Sequence, residues 1–242
     1  MKKIIIFILP LFLFAAAPQL PTVNLSLTAP ESPKQLVTVL NIAILMTFLV
    51  LAPSIVLVMT SFVRLLVVFG FLRQALGTPQ SPPTTLLVSL SLVLTFFIME
   101  PYAKQAYTQG IKPYMEEKIG YEEAFEKAVK PFKKFMLKNT REKDLALFFR
   151  IRKLPNPKTL DDVPLSILVP AFMISELKTA FEIGFLIFLP FLVIDMVVSS
   201  ILMSLGMMML PPVMISLPFK ILVFVLVDGW NLIVQGLVES FR

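Results

Sequence analysis

The chain of 242 residues contains no cysteine and no histidine, and these two absences exclude several kinds of function. Without cysteine it can form no disulfide, and without either residue type it lacks the common zinc ligands, a thiol nucleophile and a histidine general base. It also contains no GxxxxGK[ST] stretch of the kind that cradles nucleotide phosphates. We therefore expect a protein that is not an enzyme and that uses no cofactor and no metal.

Charge is scarce as well, except in one segment. Charged residues make up 16% of the chain and hydrophobic residues 57%, against about 45–50% apolar residues in soluble domains. Residues 101–163 hold 14 of the 22 basic and 9 of the 16 acidic residues. The net charge of +6 would suit nucleic acid, but the basic residues are mixed with acidic ones and form no recognisable binding motif. We interpret them as a solvated surface, expect no nucleic-acid partner, and assign the chain to the membrane proteins.

The N-terminus has the layout of a secretory signal peptide. Lys2 and Lys3 precede an apolar run over residues 4–14, and three alanines follow at 15–17. This run is too short to span a bilayer as a free helix. The pattern predicts a signal peptide over 1–17, with retention as an uncleaved anchor as the alternative.

Four further apolar stretches indicate an all-α membrane protein with four apolar helices in hairpins and a small helical extracytoplasmic domain. Their lengths approach or exceed the 17–25 residues or so that a membrane span needs. Arg64 and Arg73 lie between the first two stretches without an acidic neighbour, which favours a cytoplasmic turn. The stretches are residues 37–62, 84–99, 183–205 and 213–238. The predicted organisation is therefore a hairpin over 18–100, a periplasmic domain over 101–163 and a second hairpin over 164–242.

The middle segment shows the apolar spacing of amphipathic helices. The pattern predicts one helix over residues 121–138 and a second over 145–151, capped by Asn139 or Thr140. We expect the apolar faces of these helices to pack against each other or against a sister subunit.

Three ionisable residues lie inside the last two apolar stretches, namely Asp195, Lys220 and Asp228. If the hairpin tip is near Met208, Asp195 and Lys220 lie within roughly 3 Å of the same level and can pair. Asp228 lies about 12 Å further along the axis and needs another partner, in the backbone or in another subunit. The pair could fix helix register, or it could couple to protons or gating, and the spacing is compatible with both.

Three consecutive methionines, Met207, Met208 and Met209, stand beside two prolines at this tip. Methionine is flexible and polarizable, so the cluster indicates either a surface that adapts to variable partners or gap-filling in a core. Three kinds of protein remain open at this point. They are a secondary transporter, a subunit of a larger membrane assembly and a pure scaffold. The absence of a visible inverted repeat disfavours the transporter.

Long blocks of the sequence closely resemble the FliP family of the flagellar type III secretion export gate. The blocks are RLLVVFGFLRQALGTPQSPP at 64–83, LTFFIMEP at 94–101, and the stretch 170–241, which contains SELK, GMMMLPPVMISLPFK and DGW. The resemblance implies a homo-oligomer ring of five chains in the bacterial inner membrane, within the flagellar basal body. Its implied partners are FliQ, FliR and the unfolded flagellar proteins that pass through the channel.

The resemblance also implies roles for particular residues. The three methionines would form a gasket that seals the closed pore, in a loop shaped by Gly206, Pro211 and Pro212. The signature residues assigned to subunit packing are Glu176, Lys178, Asp228 and Trp230. A homologous subunit of a virulence injectisome is the alternative, although the unbroken GMMMLPPVMISLPFK block and the predicted signal peptide favour the flagellar machine.

Overall fold

The computed structural model describes residues 33–155, 157, 159–207 and 210–241. The predicted signal peptide lies outside these residues. Within them, every regular element is helical. The main helices are α1 (Pro33–Val58), α2 (Phe62–Ala75), α3 (Thr84–Ala106), α4 (Lys112–Met115), α5 (Tyr121–Asn139), α6 (Glu142–Ile151), α7 (Leu165–Ser204), α8 (Pro212–Leu226) and α9 (Gly229–Glu239).

Several of these helices are apolar and long enough to cross a membrane. In the described residues three qualify, over Leu36–Val58, Thr84–Met115 and Leu165–Ser204, and the bent pair formed by α8 and α9 qualifies if it counts as one span. This agrees with an all-α protein with three to four membrane-compatible helices.

Contacts divide the chain into two compact units, residues 1–48 and residues 49–242. In the first unit the described residues belong to α1, and most of its leucine and isoleucine side chains are exposed. Ile44 and Leu45, for example, are 56% and 65% exposed. Such a row of uncovered apolar side chains calls for lipid or another protein around it.

The core of the second unit lies where α2 and α5 pack against the first half of α7. In α2 the spacing of Leu65, Val68, Phe69 and Leu72 creates one apolar stripe, and all four are at most 1% exposed. Opposite this stripe, α5 and α7 supply further buried side chains, namely Phe135, Met136, Ile167, Leu168 and Phe172.

The middle segment shares this core instead of packing only on itself. Phe135 and Met136 of α5 are fully buried, Phe135 contacts Phe172 of α7, and Phe149 of α6 joins the same cluster. The residue 100/101 boundary expected from the sequence falls inside α3, which continues through Pro101 to Ala106. On which side of a membrane the segment lies remains a prediction.

The expected cap between α5 and α6 is wrong, because α6 starts at Glu142 with Arg141 at its N-cap position. Asn139 and Thr140 instead donate side-chain hydrogen bonds to the carbonyl oxygens of Phe135 and Met136. Both side chains therefore satisfy the C-terminal end of α5 and are not free to cap the next helix.

A one-turn π-helix, Tyr107–Ile111, connects α3 to α4. Gly110 lies in this turn where α5 crosses, and a Cβ atom at this position would lie 2.7 Å from backbone atoms of Ala124 and Ala128. The glycine therefore permits a close approach of two backbones that a side chain would obstruct.

The last apolar stretch, residues 213–238, is not one helix. It breaks into α8 and α9, which are bent by 65°. Asp228 stands at the break with φ of 51°, in the left-handed region that aspartate tolerates better than most residues. The hydrophobic pattern alone could not reveal the break, because both sides of it are apolar.

Candidate functional site: buried ion pairs and the methionine loop

Arg64 and Glu176 form an ion pair in the core, with 3% and 0% of their side chains exposed. Arg64 Nε donates to Glu176 Oε2 at 2.9 Å, and Nη2 donates to Oε1. This two-pronged contact suits the planar guanidinium, and the paired hydrogen bonds satisfy both carboxylate oxygens. Removing either partner would leave the other as an unpaired buried charge.

The same arginine also holds the C-terminal residues and the end of α5. Its Nη1 donates to the carbonyl oxygen and the Oγ of Ser240 at 3.1 and 2.9 Å, and its guanidinium lies 3.8 Å from the centre of the Phe241 ring. Nη2 lies 3.4 Å from Asn139 Oδ1. Arg64 therefore joins α2, α5, α7 and the chain end at one point.

This position corrects the expectation that Arg64 and Arg73 share a cytoplasmic turn. They lie in α2, about 14 Å apart along its axis, and the connecting turn lies beyond it, before α3 begins at Thr84. Arg73 lies in the last turn of α2, and its side chain reaches across the connecting segment to donate to Thr84 Oγ1 at 3.0 Å. Arg64 does not contribute an exposed positive charge, because it is buried and paired with Glu176.

The Arg64–Glu176 pair was not expected from the sequence. A signal for it exists in α2, since Arg64 lies four residues before Val68 and eight before Leu72 and so shares their buried face. The periodicity therefore predicts that Arg64 lies in the core, but it does not identify the acidic residue that pairs with it.

The structure brings Asp195 of α7 and Lys220 of α8 together, with Lys220 Nζ 2.6 Å from Asp195 Oδ2. The lysine side chain is 4% exposed and the aspartate side chain 34%. Ser216, one turn before Lys220, donates to the second carboxylate oxygen of Asp195. The pair and the serine therefore link α7 to α8.

Lys220 also reaches a third helix. Its ammonium donates to the carbonyl oxygen of Ala75, the last residue of α2, at 3.2 Å. A positive charge at this place is favourable, because the last carbonyl groups of a helix carry partial negative charge. Lys220 thus pairs with α7 and caps α2.

The remaining signature residues are more exposed. Lys178 pairs with Glu182 at 3.5 Å on the surface of α7, and both side chains are more than half exposed. Asp228 accepts a hydrogen bond from Asn231 at 3.2 Å. Trp230, 40% exposed, stacks edge-on against Phe224 across the break between α8 and α9.

The loop between α7 and α8 starts with a helix-ending motif at Gly206, which has φ of 73°. The amide groups of Gly206 and Met207 donate to the carbonyl oxygens of Met203 and Leu202, each at 3.0 Å. This is the Schellman arrangement, in which glycine takes the left-handed position after the helix. Met207 then lies 44% exposed, whereas Met208 and Met209 lie outside the described residues.

Two prolines set the start of α8. Pro211 occupies the N-cap position with an extended backbone, and Pro212 is the first helical residue, where the missing N–H costs nothing. Gly206 and the two prolines therefore fix where the helices on each side end and begin.

The charged side chains of the site are suited to holding helices together. In the part of the chain that the structure describes, no group of three or more acidic side chains could hold a metal ion. The carboxylates of Glu176 and Asp195 each accept hydrogen bonds from a basic side chain. In the described residues, the all-helical architecture, with three to four membrane-compatible helices joined by internal ion pairs, is that of polytopic membrane proteins.

Comparison with known proteins identifies the group within this class. The model of the FliP family matches residues 45–237, and the chain belongs to the FliP family. It is 52% identical over 217 residues to the flagellar biosynthetic protein FliP of Bacillus subtilis, which covers 90% of this chain and 98% of that protein. It is 59% identical over 198 residues to the protein of the same name from Caulobacter vibrioides, with 82% of this chain and 74% of that protein covered.

A third relative, from Aquifex aeolicus, carries the same name. It is 49% identical over 209 residues, which are 86% of this chain and 87% of that protein.

Proposed function

We propose that the chain is a subunit of the flagellar type III secretion export gate in the bacterial inner membrane. With FliQ and FliR it forms the channel that passes unfolded flagellar proteins, and its own role is structural and not catalytic. The observation that carries this proposal is the FliP family match over residues 45–237, together with relatives named as flagellar biosynthetic proteins.

The distribution of apolar surface supports an assembly. Large side chains on the second half of α7 and on α8 are uncovered, for example Phe185, Val197 and Leu226 at 65%, 54% and 74% exposure. An apolar groove of about 410 Å³ runs between α7 and α8, lined by residues such as Ile194, Ile201 and Phe219. Lipid alone could cover this surface, but a ring of five chains with FliQ and FliR would cover it as well as build a channel.

The methionine loop supplies the seal in this proposal. Met207, Met208 and Met209 from each chain would meet around the closed pore, where flexible apolar side chains block ions and still yield to many different unfolded polypeptides. The defined helix ends at Gly206 and Pro212 support this role, because they hold a short loop at the tip of the hairpin.

The mass of the purified assembly tests the main proposal. The chain would be co-expressed with its FliQ and FliR neighbours, extracted in mild detergent and measured by native mass spectrometry. We expect one complex containing five copies of this chain. A monomer that moves ions after reconstitution would contradict the proposal and favour a secondary transporter.

A further inference from the structure

Two adjoining cavities lie beside α3 at Pro101 and Tyr102, where the charge-free part of the helix ends. The larger, of about 860 Å³, is lined by Lys130, Lys133, Lys134 and Lys138 of α5 and by a single acidic residue, Asp161. The smaller, of about 440 Å³, lies along Phe97, Val238 and Phe241. The two cavities share the lining residues Pro101, Tyr102 and Lys138. The larger cavity is a basic chamber, and it is continuous with the smaller one, a mainly apolar cleft.

Three of the lysines in the basic chamber, Lys130, Lys133 and Lys134, form no ion pair with a carboxylate of the described residues. Lys133 and Lys134 lie three and four residues after Lys130, a spacing at which like charges repel each other across a helical turn. By contrast, the nearby surface lysines, Lys112, Lys118 and Lys127, each pair with a glutamate.

Two of the chamber's ammonium groups contact backbone oxygens. Lys133 Nζ donates to the carbonyl oxygen of Asp161, and Lys138 Nζ to that of Phe241 at 3.4 Å. The contact with a neutral carbonyl group orients Lys133 without cancelling its charge. An anion entering the chamber would therefore meet the positive charges of Lys130, Lys133 and Lys134 on one face of α5.

The apolar cleft opens onto a surface suited to hydrocarbon. Phe97 is 62% exposed, and one face of α3 continues away from the chamber with Phe96 and Val93, at 76% and 64% exposure. No charged residue occurs in α3 before Glu100, so the chamber begins where the apolar run ends. Tyr102 lies at this boundary, a position typical of aromatic residues at the edge of a membrane.

We propose that the chamber and the cleft together bind one anionic phospholipid, with its phosphate among the lysines and its acyl chains along Phe97. A clustered set of lysines beside the apolar part of a membrane protein is the chemistry that selects anionic headgroups. An acidic peptide would use the chamber but leave the apolar cleft empty. Inorganic phosphate would also leave it empty, so the pairing of the two cavities favours the lipid.

The test uses the full chain, stripped of lipid in detergent and titrated with palmitoyl-oleoyl phosphatidylglycerol or with the phosphatidylcholine of the same chains. Native mass spectrometry counts the bound lipids. We expect the wild type to prefer phosphatidylglycerol, and the Lys130→Gln, Lys133→Gln, Lys134→Gln variant to bind it on the order of tenfold more weakly. The matched control changes Lys112, Lys118 and Lys127 to Gln, which removes the same charge, and it should keep the preference.

Further measurements distinguish binding of a phospholipid from binding of a free phosphate. The Phe97→Ala variant should weaken binding of phosphatidylglycerol, and millimolar inorganic phosphate or glycerophosphoglycerol should fail to displace the lipid. Displacement by either small anion would overturn the proposal in favour of a free anion. If the lysine variant keeps its lipid preference but no longer associates with other chains, the chamber is a protein interface and the proposal is wrong.

Should the triple variant fold poorly, Lys134→Gln alone decides the question. It changes one exposed side chain, and a severalfold loss of affinity for phosphatidylglycerol is expected, whereas unchanged affinity would contradict the proposal. Because the measurement needs neither FliQ nor FliR, its failure would leave the export-gate proposal untouched.

Discussion

Glu176 and Asp195 lie on the same helix, but water reaches them to different degrees. Glu176 is fully buried with Arg64, while about a third of the Asp195 side chain is exposed beside Lys220. A buried pair that loses one partner leaves an uncompensated charge in a medium that solvates it poorly. Because Arg64 and Lys220 are both almost fully buried, loss of either acid should be costly.

At the residue scale we predict that Glu176→Gln destabilises the protein by about 3–5 kcal/mol, because it leaves Arg64 as an unpaired buried cation. Asp195→Asn should destabilise the protein as well, because it leaves Lys220, whose side chain is 4% exposed, with the Ala75 carbonyl as its remaining partner. Thermal unfolding of the detergent-extracted protein measures both effects.

Glu182→Gln provides the matched control, since it breaks an exposed pair with Lys178 on the same helix. It should change stability by no more than about 1 kcal/mol. If Glu176→Gln were as harmless as Glu182→Gln, the pair with Arg64 would not be a determinant of stability.

The residue patterns predict only part of these contacts. The shared level of Asp195 and Lys220 follows from residue counts on each side of the hairpin tip, because helix rise per residue is constant. Counting cannot find the pair of Arg64 and Glu176, which are 112 positions apart in sequence and meet only when α2 packs on α7. Long-range partners depend on tertiary packing, which a local pattern does not specify.

At the element scale, hydrophobic runs and amphipathic spacing locate most helices, while breaks inside apolar sequence escape detection. The stretch from 63 to 83 resembles a turn because it carries two arginines, yet its first part is a buried helix. The bend at Asp228 cannot be predicted from hydropathy either, because a left-handed backbone conformation does not change the hydropathy of the sequence.

Gly110 allows a prediction about two elements that cross closely. Gly110→Ala should destabilise the protein by about 1–3 kcal/mol, because the new methyl group would meet backbone atoms of α5, which cannot move aside as a side chain can. The melting temperature of the extracted protein should fall accordingly.

The comparison variant Gly236→Ala should have the opposite effect on stability. Gly236 lies inside α9, and no atom lies within 4 Å of the place that an alanine methyl group would occupy, so alanine should stabilise the helix by about 0.5–1 kcal/mol. Equal effects of the two substitutions would show that the crossing at Gly110 is not tight.

At the scale of the whole molecule, sealing is a property of the assembled chains, so it should be separable from folding. If Met207, Met208 and Met209 surround a pore, changing all three to Ala should leave the yield of the complex normal and raise the permeability of cells to small ions. Native gels and an ion-flux assay measure the two quantities. Leucine at the same positions keeps the bulk and should reduce the leak.

A second control changes three exposed methionines of the flanking helices, Met196, Met203 and Met214, to Ala. This variant should not leak, because the proposed seal is intact. Loss of the complex in the loop variant, or a loop variant that stays tight, would show that the methionines do not form the seal.

The length of α7 has a consequence for where the protein can reside. Its 40 residues correspond to about 60 Å, roughly twice the thickness of the hydrocarbon layer of a bilayer. A bilayer can therefore surround only one half of this helix at a time. Eight of the ten buried residues of α7 lie in its first half, which also holds the Arg64–Glu176 pair. The second half is therefore the part better suited to lipid, and if a bilayer surrounds it, the first half projects beyond the bilayer.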